Sequence, residues 1–207
     1  MLQNKFNKIL LLIFFLALIL SSIKPHDYFT WFLEVAPALV GLVVIWYLNK
    51  YQNFKFSRLL LFLLLVHSVI LMIGGHWTYA EVPFFNWLRD IGLFSRNNYD
   101  KVGHFMQGFV PVLVAREILI RKTPLTSTTW INFLSICVAQ AASSVYELVE
   151  WLISALYGSA GDSFLGTQGD VWDTQSDMLF CLIGALVALL LIGKIHNKAL
   201  EEIKTLH

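Results

Sequence analysis

Six stretches of this chain approach the length of a membrane-spanning helix, and that repetition limits the fold more than any other feature. They lie near residues 9–23, 29–48, 59–73, 102–120, 130–156 and 173–195. About 20 mostly apolar residues cross roughly 30 Å of hydrocarbon, since a helix advances about 1.5 Å per residue. In hydrocarbon every backbone amide must find its partner within the chain. The expected fold is therefore all-α: a polytopic membrane helix bundle with about six transmembrane helices, residues 1–207 forming a single integral membrane domain. Composition agrees, with 57% hydrophobic and only 14% charged residues and a mean hydropathy of +0.65. A soluble domain carries charge on about a quarter of its residues. A net charge of +1 offers nothing to a nucleic acid, so the lipid bilayer is the expected partner. Cys137 and Cys181 both fall in apolar runs and are expected to be small buried hydrophobes.

The first stretch follows Lys5 and Lys8, as the core of a signal peptide would, but "SSIKPHD" after it has no small-x-small cleavage pattern. It is kept as a helix. Lys and Arg set the orientation. Lys5, Lys8, Lys50, Lys55, Arg58, Arg116, Arg121, Lys122, Lys194, Lys198 and Lys204 fall on one side, against Lys24, Arg89, Arg96 and Lys101 on the other. This places both termini in the cytoplasm and the loops 74–101 and 157–172 outside, as expected of a multi-pass membrane protein. Trp31, Trp46, Trp77, Trp87, Trp130, Trp151 and Trp172 sit near the proposed helix ends, where amphipathic rings favour the headgroup level.

Acidic residues gather at the end that basic residues avoid, and some lie within the helices. Asp100 and His104 are four apart, as are Asp173 and Asp177, so each pair shares a helix face. Glu147 and Glu150 are three apart, with Ser143 and Gln140 continuing the same stripe. Glu147 lies ten residues before Tyr157, about 15 Å down its helix. A carboxylate at such depth costs about 2.5–3.5 kcal/mol unless it faces protein or water, and two on adjacent turns repel. The pair therefore needs a proton, a cation or a basic neighbour. Asp170 and Asp173 have a simpler reading as turn former and helix N-cap, and Asp100 too can cap. Asp177 lies a turn beyond capping reach. His67 is read as a packing residue of the bundle interior. His76 and Glu81 are unconstrained by spacing. Gln107, Gly108 and Pro111 indicate a kink or a close helix approach, and "AGDSFLGTQGD" is a turn whose Asp162, Gln168 and Asp170 offer oxygen ligands to a hard cation.

Taken jointly, "RNNYDKVGHFMQGFVP", "YELVEW", "FLGTQGDVWDTQSDM" and "CLIGAL" resemble the YjdF-type bacterial inner-membrane proteins along the whole chain. A more distant similarity is to VanZ-like membrane proteins, carried by Asp100, Lys101, His104, Phe105, Glu147, Asp177 and Gly184. Glu150 and Cys181 stand where that pattern has Gln and Asn. The resemblance implies envelope associations and that these three helices meet.

Three functions fit these residues. The first is an envelope enzyme or binding protein for a lipid-linked or periplasmic substrate, its polar cluster opening to the outer face. Asp100, His104, Glu147, Glu150 and Asp177 would ligate a divalent metal (Zn²⁺, Mn²⁺ or Mg²⁺), or Glu147, His104 and Asp177 would act as catalytic acid and base. No nucleophile is evident, and HExxH, GxSxG and Walker patterns are absent. The second is a small proton-coupled carrier, which needs a polar path to the cytoplasmic side, hinted at only by His67, Arg116 and Glu117. The third is a structural or assembly role.

Overall fold

The computed structural model describes residues 2–158, 161 and 164–204. Among these, seven helices and no strand are present: α1 (Leu2–Ser22), α2 (Tyr28–Tyr51), α3 (Arg58–His76), α4 (Pro83–Asp90), α5 (Tyr99–Lys122), α6 (Thr128–Tyr157) and α7 (Asp173–Lys204). Asp27, Ser57 and Ser127 precede α2, α3 and α6, and each accepts a hydrogen bond from the backbone amide three residues on. A short polar side chain thus relieves one of the amides that a helix start leaves unpaired.

Five helices are long and apolar enough to cross a membrane: α1, α2, α3, α6 and α7. The sixth expected span, α5, falls below that hydropathy, although its 24 residues reach about 36 Å. The reason is its position. α5 is the central helix, packed against α3, α6 and most extensively α7, and half of its residues are buried against protein. A helix that lipid hardly touches can carry Asp100, Lys101, His104, Arg116 and Glu117. α1 and α2 form an outer layer that reaches this core through α3. The loop 74–101 contains one element that the sequence reading leaves as loop: α4 begins with Pro83 and holds Phe84 and Trp87 exposed, as a helix lying at the interface would. Cys181 is buried as expected, but Cys137 is exposed on the face that α6 turns to lipid. In a bilayer an apolar side chain needs no protein cover.

The seam between α5 and α7 decides the site. A Cβ added at Gly108 would lie 1.8 Å from the Cys181 carbonyl oxygen, and one at Gly184 would lie 2.0 Å from that of Phe105. Two reciprocal glycines therefore let the backbones touch, the usual means of close approach where helices gain little from burying apolar surface. This is the close approach expected around Gln107, Gly108 and Pro111, and it brings the first turns of α5 and α7 together.

Candidate functional site

At the acidic end, the Lys101 ammonium reaches across from α5 to α7, 2.7 Å from Asp173 Oδ1 and 2.8 Å from Asp177 Oδ1, with Asp100 Oδ2 at 3.4 Å. Arg96, just before α5, pairs with Asp100 and lies 2.8 Å from Asp173 Oδ1. Its guanidinium also donates to the Thr167 carbonyl at 2.7 Å. Beside it Asn97 and Gln168 exchange bonds, the Asn97 amide donating to Gln168 Oε1 and the Gln168 amide group to the Asn97 carbonyl. The two outer loops are thereby clasped over the cluster.

Deeper along α5, His104 stands between α6 and α7. Its Nδ1 is 3.6 Å from Glu147 Oε1 and its Nε2 is 3.7 Å from Asp177 Oδ1, while Gln107 Oε1 lies 2.9 Å from Nδ1. Ligand atoms of His104, Glu147 and Asp177 lie within 4.8 Å of one another, and the same holds for Asp100, Asp173 and Asp177. The two groups share Asp177, which Lys101 already holds, and differ in what neutralises their other members. The aspartate group is bridged by Lys101 and Arg96, whereas Glu147 Oε1 is buried with no hydrogen-bond partner. Glu150 belongs to neither group. It faces a cavity of about 80 Å³ between α2, α3, α5 and α6, together with Glu34, His67, Tyr79, His104 and Tyr146. Burial, and then the charge of Glu34, hold the Tyr79 phenol well above its usual pKa, so it remains a hydrogen-bond donor.

The residues read from spacing come together as Asp100 with Asp173 and Asp177, and as His104 with Glu147 and Asp177. The stripe on α6 continues through Gln140, whose amide donates to the Met178 carbonyl, and through buried Ser143. Asp173 opens α7, and its carboxylate is engaged by Lys101 and Arg96. Asp170 accepts the Trp172 amide, a turn contact as expected. Gln168 is committed to Asn97, and Asp162 lies outside the described residues. His76 and Glu81 stand apart, the former with Nδ1 2.9 Å from the Ser21 carbonyl, the latter accepting from Asn86. His67 does more than pack, since it lines the cavity with Nε2 unpartnered.

Two contributors carry no spacing signal in the sequence. Glu34 lies on α2, distant in sequence, and accepts a 3.1 Å bond from the Tyr146 hydroxyl. Tyr79 is in a loop with φ +54°, its ring filling the space left by Gly74 and Gly103. Counting Glu34, six buried carboxylates (with Asp100, Glu147, Glu150, Asp173 and Asp177) have, among the described residues, Arg96 and Lys101 as the lysine or arginine partners in their ion pairs. Protons or a further cation must balance the remainder.

The chain matches the family model described as "Predicted membrane protein (DUF2238)" over residues 6–198. It is 46% identical over 188 residues to the Inner membrane protein YjdF of Escherichia coli (strain K12), covering 90% of this chain and 88% of that protein. No solved structure matches it.

Proposed function

For a chain that belongs to the DUF2238 family of predicted membrane proteins, we propose an inner-membrane site at which His104, Glu147 and Asp177 hold a divalent cation beside a lipid-linked or periplasmic substrate. One observation carries this reading. Glu147 Oε1 is buried and unpartnered within reach of an imidazole and a second carboxylate, in a cluster whose acids outnumber its bases. Leaving such an oxygen unsatisfied costs about 1–3 kcal/mol, and more when it is charged. One imidazole with two carboxylates suits Zn²⁺ or Mn²⁺ and accommodates Mg²⁺. Asp100 and Asp173 then keep Lys101 and Arg96 in place at the mouth, and Glu150 faces the substrate space. When the cation is bound it polarises an oxygen of the substrate. Gln107 Oε1, 2.9 Å from Nδ1, fixes the His104 ring.

A proton-coupled carrier has less support. Between this cluster and Glu117 lies a buried apolar layer that includes Leu60, Val110, Val112, Leu113, Ala139 and Ala185. The polar groups beyond that layer are bonded to one another and suit a structural role. Glu117 accepts from the Ser57 amide and hydroxyl and from Arg121, and lies 3.2 Å from His196 Nε2.

The test is elemental analysis of the purified full chain and of Glu147→Gln and Asp177→Asn. Stoichiometric metal in the parent that is lost from both variants, with melting retained, is the expected result. Metal content unchanged in both variants would overturn the proposal.

A further inference from the structure

Next to the small polar cavity is a much larger one of about 860 Å³, lined chiefly by apolar residues of α1, α2 and α3, with Pro111 of α5 also bordering it. The two share Pro37, His67, Leu71, Gln107 and Tyr146, so one wall serves both. The larger space is at the upper end of the range for small-molecule sites, and it lies among helices that face hydrocarbon. α2 packs on α3, and at the acidic end it meets α6 through the Tyr146–Glu34 hydrogen bond and the Phe29–Tyr157 ring pair. Away from that clasp, Gly41 and Val43 of α2 and Ala142 of α6 border the apolar cavity.

We infer that the two cavities form one amphiphile site, entered sideways from the bilayer between α2 and α6. It takes a lipid whose apolar chain fills the larger space and whose small donor group, an ammonium or a hydroxymethyl, sits in the smaller. Charge selects the donor. The polar cavity is lined by Glu34, Asp100, Glu150, Asp173 and Asp177, and no described lysine or arginine faces it. Arg96 and Lys101 are already held by the aspartates. Size favours a small head group: a polar space of about 80 Å³ suits an amine or a hydroxymethyl better than a bulky one. Unpartnered His67 Nε2 stands at the junction, where the first polar atom of such a ligand would pass. This inference rests on reading the acidic cluster as a substrate site, and does not require the cation.

The test uses the full chain in lipid nanodiscs with three photoprobes of equal length, each bearing a mid-chain diazirine: an alkylamine, an alkanol and a fatty acid. Crosslinked peptides are mapped by mass spectrometry. The amine, the alkanol or both should label the cavity wall on α2 and α3, and whichever labels identifies the head group, while the acid should label at least about tenfold less. Gly41→Phe and the smaller Gly41→Leu place side chains where a Cβ meets nothing within 4 Å, and both should suppress labelling in proportion to size. Two substitutions of different bulk keep the test decisive if one fails to fold. Labelling undiminished in the filled variants, or equal from the acid, would overturn the inference. Metal content measured on the same variants separates the two proposals, because filling at Gly41 leaves His104, Glu147 and Asp177 untouched.

Discussion

The closeness of α5 to α7 makes Gly108→Ala the sharpest perturbation of the site from outside it. The new Cβ would stand 1.8 Å from the Cys181 carbonyl oxygen and 2.9 Å from the Ala185 nitrogen, where ordinary contact begins at 3.4 Å. Both obstacles are backbone, so no side chain can swing away. The helices must separate by roughly 1.5 Å, at an overpacking cost of about 1–3 kcal/mol. That displacement acts on contacts made one to two turns away between the same helices: Lys101 to Asp177 at 2.8 Å and His104 to Asp177 at 3.7 Å. A ligand misplaced by that amount weakens metal binding by at least about tenfold, as loss of supporting contacts does at other metal sites. Thermal melting and elemental analysis of the purified variant read the two effects, with Gly41→Ala as control, since nothing lies within 4 Å of the Cβ added there. The expected result is a melting temperature several degrees lower together with lost metal, the control keeping both. A Gly108→Ala protein that melts and binds metal like the parent would refute the claim that this seam sets the site.

Other substitutions probe the charges separately. Lys101→Met leaves Asp173 and Asp177 without their shared ammonium and should cost about 3–5 kcal/mol; adding Asp177→Asn should recover part of it in a melting cycle. Because these groups are nearly inaccessible, that loss should hardly change between low and high salt. Glu117→Gln replaces an acceptor shared by Ser57, Arg121 and His196, and should speed hydrogen exchange at the start of α3 while metal content stays at the parental level. Tyr146→Phe removes the hydroxyl that ties α6 to Glu34 of α2, and should raise the rate of photoprobe labelling with little change in melting.

Much of the bundle was legible because hydrophobic length is a local property, and the five most apolar stretches could be read one at a time. The sixth, α5, was legible only as a compromise. Its Gly108 and Gly184-facing surface make sense once α7 lies on it, and Gly103 once the Tyr79 ring does; low hydropathy is what a helix wrapped in protein can carry. The acid pairs were visible because period 3.6 puts residues three and four apart on one face. Which faces meet is a tertiary fact. Hence Asp173, read first as a cap, has a carboxylate in ion pairs, and Glu34, apparently one acid among many near the headgroups, joins a cavity through Tyr146. α4 was missed because eight residues with alternating sidedness give too short a pattern to separate from an aromatic loop.

The two polar clusters of the molecule also show why burial of charge alone does not mark a site. At the basic end, Glu117 has a partner for each oxygen, and Arg116 donates to Asn132 and Asn197 while its Nη1 lies 3.0 Å from His196 Nδ1. A saturated network of this kind holds α3, α5, α6 and α7 in register, and a ligand entering it would have to break bonds as good as those it makes. At the acidic end the same chain leaves Glu147 Oε1, His67 Nε2 and Ser143 Oγ unpartnered, with a cavity alongside and carboxylates in excess. Unsatisfied groups of that kind are costly in a low-dielectric interior, and binding a ligand recovers the cost. The difference between the two ends, lock against receptor, is therefore one of saturation, and it follows that substitutions at Glu117 should change stability alone while those at Glu147 should change binding first.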